Sequence, residues 1–164
     1  MELSKKLEKA LNDQLNEELY SAYLYLAMSA YFEAEGLPGM AQWMRAQAKE
    51  EVGHAMKFFD YINERNGRVI LQAVKNPPAE WKGVKDVFEQ ALKHEQHISQ
   101  RIYDLMDLAH KEKDHATHEF LEWFVEEQVE EEKSVQDVLD KIKLVQDSPT
   151  GFYLLDQELG ERKE

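Results

Sequence analysis

Glu51 and His54 stand three residues apart in the segment QAKEEVGHAMKFF, residues 47–59, whose apolar side chains recur at helical spacing. Positions i and i+3 share one face of a helix, so both side chains can reach a single metal ion. Three more glutamates occupy equivalent places. The core-facing stripes run Leu11, Gln14, Glu18, Ala22, Tyr25 in one segment and Met44, Gln47, Glu51, His54, Phe58 in the next. They continue as Phe88, Ala91, Glu95, Ile98, Ile102 and as Phe124, Gln128, Glu131, Val135, Val138. Each stripe therefore carries one carboxylate near its middle. Four carboxylates buried at one level oppose ionisation through desolvation and mutual repulsion. They must either take up protons or bind cations, and His54 favours cations. Oxygen-rich ligation with one imidazole suits iron better than copper or a structural zinc site. Any one Glu-x-x-His is a weak signal, but four interruptions at matched heights are not easily explained by a misphased stripe.

The elements that position these residues are helices. Gly and Pro are few and fall where helices should stop. EGLPGM breaks the chain at Gly36–Gly39, with Pro38 suited to a first turn. Asn66-Gly67 reads as a C-terminal cap, Pro77-Pro78 forbids a helix, and Asp114 and Ser148-Pro149 read as N-terminal caps. The pattern predicts an all-α chain with helices over about 4–35, 38–66, 83–111 and 114–145, and a short fifth over about 150–161. A helix of about 30 residues is about 45 Å long. The first and last pairs have short connections and must be antiparallel neighbours. Gly67 to about Lys82 is long enough to cross the bundle. Two hairpins joined by one long crossover is the connectivity of a ferritin-like four-helix bundle, up-down-down-up, plus a tail helix. RVILQAV in the crossover has strand-like character but no companion strand.

The chain has 164 residues, enough for one domain spanning 1–164 with a sizeable core. Hydrophobic residues make up 43% and charged residues 32%, which excludes a disordered chain. The formal charge of −13 argues against nucleic acid and anionic membranes and favours cationic partners. With no cysteine, disulfides, zinc–thiolate sites and iron–sulfur clusters are excluded, and a reducing cytoplasm fits. No secretion signal or membrane-spanning run is evident.

NEELYSAYLYLAMSAYF, KEEVGHAMKFFDYI, ALKHEQHISQRIYDL and FLEWFVEEQVEEEKSV resemble the prokaryotic non-haem ferritins, the iron-storage proteins, in the right order and spacing. The likeness runs from about Leu7 to about Leu159 and includes the tail helix GFYLLDQEL. The resemblance implies an intrasubunit ferroxidase centre. Its first iron site would use Glu18, Glu51 and His54; its second would use Glu51 as a bridge with Glu95 and Glu131, and Gln128 beside it. A third iron site would use Glu50, Glu127 and Glu130, with Glu131 open as a shared ligand. Tyr25 and Trp123 match aromatic residues next to the centre, as redox-active or packing residues. The resemblance further implies a shell of about 24 subunits that admits Fe(II), oxidises it with O2 or H2O2, and stores a ferric oxyhydroxide mineral.

Departures narrow the likeness. Bacterioferritin, rubrerythrin and ribonucleotide reductase bundles carry a second Glu-x-x-His. Here Glu131 is followed at i+3 by Ser134, and Glu95 by Ile98. Val52 and Gly53 precede His54 where bacterioferritin offers its haem-binding methionine, so no haem is expected. Zero cysteines exclude the rubrerythrin iron domain, and DNA-protecting mini-ferritins lack the tail helix. Another carboxylate-bridged di-iron oxidase or peroxidase without storage is the alternative on the same bundle, and a purely structural helical protein is the alternative from another class. His94, His97, His110, His115 and His118 lie off the stripes, so surface or interface roles are expected. Gly53 lies inside a helix at a cost of about 1 kcal/mol relative to Ala. Glu95 is the example of a buried carboxylate whose removal should stabilise the metal-free protein.

Overall fold

A computed structural model describes residues 2–164. Five helices form: α1 (Lys5–Ala34), α2 (Pro38–Glu64), α3 (Val84–Lys111), α4 (His115–Val145) and α5 (Pro149–Leu159). Among the described residues there is no strand. The ends fall at the expected signals. Ser4, Asp114 and Ser148 each accept a backbone N–H of their own first turn, and Pro38 and Pro149 open α2 and α5. At the other ends Gly36, Asn66 and Lys113 take left-handed backbone.

Cross-bundle contacts give the directions. Arg101 of α3 meets Gln14 near the start of α1, while Trp81, just before α3, meets Tyr31 near the end of α1. Gln47 of α2 meets Glu131 of α4, and Tyr61 meets Thr117. Both pairs are antiparallel, so the order is up-down-down-up, as the connectivity predicts.

The interior is two apolar cores with a polar layer between. One half packs Tyr25, Phe32, Trp43, Met44, Phe88 and Ile142, with Phe32 stacked on Phe88 at 5.7 Å. The other packs Leu7, Leu11, Phe58, Ile62, Ile102 and Phe124, with Phe58 against Phe124 at 4.4 Å. Each such side chain contributes about 1.5–3 kcal/mol on burial. That is what holds the polar layer dry.

Two joints outside the cores fix the frame. The crossover runs extended along α1. Asn12 accepts from the Ile70 N–H at 2.8 Å and donates to the Arg68 carbonyl at 3.0 Å. This side chain supplies the partner that a second strand would otherwise give RVILQAV. The tail helix docks through Asp156, whose carboxylate accepts the Met40 N–H at 2.8 Å and so caps α2, whose N-cap Leu37 cannot. The approach needs Gly39: a Cβ there would sit 1.6 Å from the Asp156 carbonyl oxygen.

Candidate metal centre

The four stripe glutamates meet at mid-height. Glu18 is 0% exposed, Glu51 2%, Glu95 1% and Glu131 3%, with His54 at 5%. Three sets of potential ligand atoms lie within 4.8 Å of one another: Glu18, Glu51 and His54; Glu51, Glu95 and Glu131; and His54, Glu127 and Glu131. The first two bring together the residues expected at two ion sites, and Glu51 belongs to both. His54 Nδ1 lies 3.0 Å from Glu51 Oε2 and 3.8 Å from Glu18 Oε2. His54 Nε2 lies 3.8 Å from Glu127 and 3.9 Å from Glu131.

Neighbouring amides and hydroxyls orient the carboxylates. Gln14 Nε2 donates to Glu18 Oε1 at 3.1 Å. Gln47 Nε2 donates to Glu51 Oε1 at 3.0 Å and to Glu131 Oε2 at 2.6 Å. The Tyr25 hydroxyl donates to Glu95 Oε1. Gln128 turns its amide nitrogen to Glu95 Oε2 and to Ser99 Oγ, both at 3.1 Å. In this arrangement Gln128 holds a carboxylate.

Electrostatics follow from the crowding. Burial pushes Glu51 well above the usual carboxylate range, helped by the Glu95 and Glu18 charges. Burial, then Glu51 and Glu95, push Glu131 up to about 10. Burial raises Glu95 to about 7 against the hydrogen bonds from Tyr25 and Gln128. Burial would also raise Glu18, but the neighbouring His54 and Glu51 and the Gln14 amide leave it below the usual value. Burial and the Glu95 charge push the Tyr25 phenol well up, so it stays a donor.

Two buried oxygens, Glu18 Oε2 and Glu131 Oε1, accept no hydrogen bond. Such orphaned acceptors are costly, and a hard cation held in each of the first two sets would satisfy one of them. The donor set is carboxylate oxygen plus one imidazole, which suits iron. Fit and chemistry therefore agree with a metal site.

The proposed third-site residues are less gathered. Glu127 reaches His54, but among the described residues no such set of ligand atoms includes Glu50 or Glu130. Both are exposed, and Glu50 pairs with Arg162 at 3.1 Å. Trp123 lies edge-on to His54 at 5.5 Å with Lys57 4.0 Å over its ring, and it is 38% exposed.

Some contributors were not identified from sequence. Gln14 and Gln47 lie on the stripes four residues before Glu18 and Glu51, a helical pairing distance that carried the signal. Arg101 and Arg162 reach those glutamines from α3 and from beyond α5, which no local spacing reveals. His94, expected at a surface or interface, is wedged between α1 and α3, with Nε2 2.6 Å from Ser21 Oγ. Burial, with His97 nearby, lowers it to about 4, so it is neutral.

Comparison with known proteins agrees with this geometry. Residues 8–145 match the Ferritin family, described as a ferritin-like domain. The chain is 44% identical over 160 residues to a bacterial non-heme ferritin of Bacteroides fragilis, covering 98% of this chain and 99% of that one. It is 41% identical over 160 residues to one of Staphylococcus epidermidis, covering 98% and 96%. An open pore ferritin from the hyperthermophilic archaeon Archaeoglobus fulgidus superposes with a TM-score of 0.97 at 48% identity, covering 98% of each chain. On its matched length, its fold and its buried carboxylate–histidine layer, this chain belongs to the ferritin family.

Proposed function

We propose that the whole chain, residues 1–164, is an iron-storage ferritin whose subunits each oxidise Fe(II) at the mid-bundle centre. The observation that carries this reading is the pair of buried, hydrogen-bond-free oxygens, Glu18 Oε2 and Glu131 Oε1, within the layer around His54. Iron is the substrate. Glu18, Glu51 and His54 hold one Fe(II); Glu51, Glu95 and Glu131 hold the other. Each ion gives up one electron, and O2 takes both electrons and two protons from water to leave as H2O2. H2O2 can serve as oxidant in its turn. The hard anionic oxygens favour Fe(III) over Fe(II) and so drive the step. Tyr25 fixes Glu95, and Gln128 fixes it from the other side. Glu127, Glu50 and Glu130 line the way out, where a third ion binds before Fe(III) moves to a cavity and mineralises.

Membership of the family supports assembly into a hollow homo-oligomeric shell of about 24 subunits. The negative charge would draw Fe(II) in. Among the described residues no helix is long and apolar enough to cross a membrane. The cysteine-free composition fits a cytoplasmic home. An oxidase without storage would need a substrate cavity at the metals. Grooves of about 520 and 630 Å³ lie beside Tyr23 and Val52 and beside Glu2 and Arg65, and one of about 400 Å³ lies next to the layer, beside the His54 neighbours Trp123 and Phe124, so iron storage itself separates the two readings.

The test is stopped-flow Fe(II) oxidation by Glu51→Ala and His54→Ala. Early rates should fall at least about a hundredfold while the shell stays assembled. Wild-type rates in both variants would overturn the site.

A further inference from the structure

Two arginines address the centre in the same way. Arg101 Nε donates to Gln14 Oε1 at 2.9 Å, and Gln14 Nε2 donates to Glu18 Oε1 at 3.1 Å. On the neighbouring helix Arg162 Nη2 donates to Gln47 Oε1 at 2.9 Å, and Gln47 Nε2 donates to Glu51 Oε1 at 3.0 Å. A guanidinium has only donors, so it takes the oxygen end of each amide. The nitrogen end is then forced toward the glutamate. That glutamate must accept, so its Oε1 faces the amide and its Oε2 is left on the His54 side. Glu18 Oε2 and Glu51 Oε2 lie 3.8 and 3.0 Å from His54 Nδ1.

Arg162 lies three residues beyond the end of α5, yet it is firmly held. Its guanidinium sits 4.3 Å over the Trp43 ring, donates to the Trp43 carbonyl at 3.2 Å and pairs with Glu50 at 3.1 Å. Gln42 binds its carbonyl at 3.1 Å, and Glu164 pairs with Arg45 at 2.7 Å. The tail thus lies along α2, with Arg162 against Gln47.

We propose that Arg101 and Arg162 are positioning residues of the metal centre. Each fixes a glutamine amide that presents Glu18 or Glu51 as an oriented carboxylate, which makes the C-terminal tail part of the site. This rests on the metal-centre reading above.

The test is Co(II) titration of the full-length, assembled protein, followed by visible absorption. Arg162→Ala and Gln47→Leu should each weaken the tightest Co(II) site about tenfold. The double variant should be no weaker than Gln47→Leu alone, because the arginine acts through the amide. Arg162→Lys should recover part of the loss. Glu164→Gln, which frees the tail from Arg45 without touching Gln47, should bind Co(II) as wild type does. The Arg101→Ala and Gln14→Leu pair gives an independent cycle that must show the same non-additivity. Unchanged affinity in Arg162→Ala, additive losses in the cycles, or an equal loss in Glu164→Gln would overturn the proposal. Glu51→Ala separates the two readings: it should lose the site, and full Co(II) binding in it would overturn the centre itself.

Discussion

Glu131→Gln should raise the melting temperature of the metal-free protein, by a margin that widens with pH. Glu131 is 3% exposed, and its Oε1 accepts no hydrogen bond. Burial first, then the charges of Glu51, Glu95 and Glu50, raise it to about 10 from 4.5. A raised folded value means that the native state keeps a proton the unfolded chain has released. The associated stability is complete below about 4.5 and is lost as pH rises toward about 10. Each pH unit is worth about 1.4 kcal/mol, so at pH 7 the cost is at most about 3 kcal/mol. Glutamine removes that cost. Its carbonyl oxygen can still accept from Gln47, which donates to Glu131 Oε2 at 2.6 Å. For a chain this long the gain corresponds to up to about 10 °C. Calorimetry of chelator-treated protein between about pH 5 and pH 8 reads it. The gap should nearly close at the acid end. With Zn(II) bound the order should reverse, because an amide is a poorer ligand. A constant gap, or a variant that melts below wild type at every pH without metal, would refute the reasoning.

Asp114→Ala should destabilise by about 2–4 kcal/mol, since it removes a cap and strips Arg65 of bonds at 2.9 and 3.0 Å; thermal melting reads the loss. Burial would raise Asp114, but the Arg65 guanidinium and the Thr117 N–H hold it below the usual value. Its contribution should therefore be present above about pH 3.8 and fade as pH falls through the lower folded value. Gly39→Ala should expel α5, because its Cβ would overlap the Asp156 carbonyl; limited proteolysis should then cut the tail. Asn12→Leu should cost about 1–3 kcal/mol and speed hydrogen exchange across residues 68–70, which it pins. Gly53→Ala meets nothing within 4 Å and should stabilise by about 1 kcal/mol, again read by melting.

The carboxylate layer was legible because helical phase is rigid. Once Leu7, Leu11, Phe32 and their counterparts are placed inward, Glu18, Glu51, Glu95 and Glu131 must follow. Caps at Ser148 and Asp114 were legible because their chemistry is local. What escaped depends on contacts distant in sequence. Arg162 reaches Gln47 only because α5 folds back on α2. His94 lies off the stripe of α3 but faces Ser21 of α1. The left-handed Lys113 ends α3 with no Gly or Asn to announce it. Glu95 was expected to be uncompensated, but Tyr25 and Gln128 both donate to it. Glu131 has an oxygen left over and, unlike Glu18, is pushed upward by burial and its carboxylate neighbours.

If the buried layer feeds iron into a store, as proposed, bound iron must far exceed the centre's own capacity. The direct measurement is iron per chain in the high-mass gel-filtration peak after aerobic loading with excess Fe(II), for wild type beside Glu51→Ala. Wild type should carry iron far above two ions per chain at the centre and one at the third site, co-eluting with a shell-sized particle and lost from early time points in the variant. Wild-type protein that elutes without iron would contradict it.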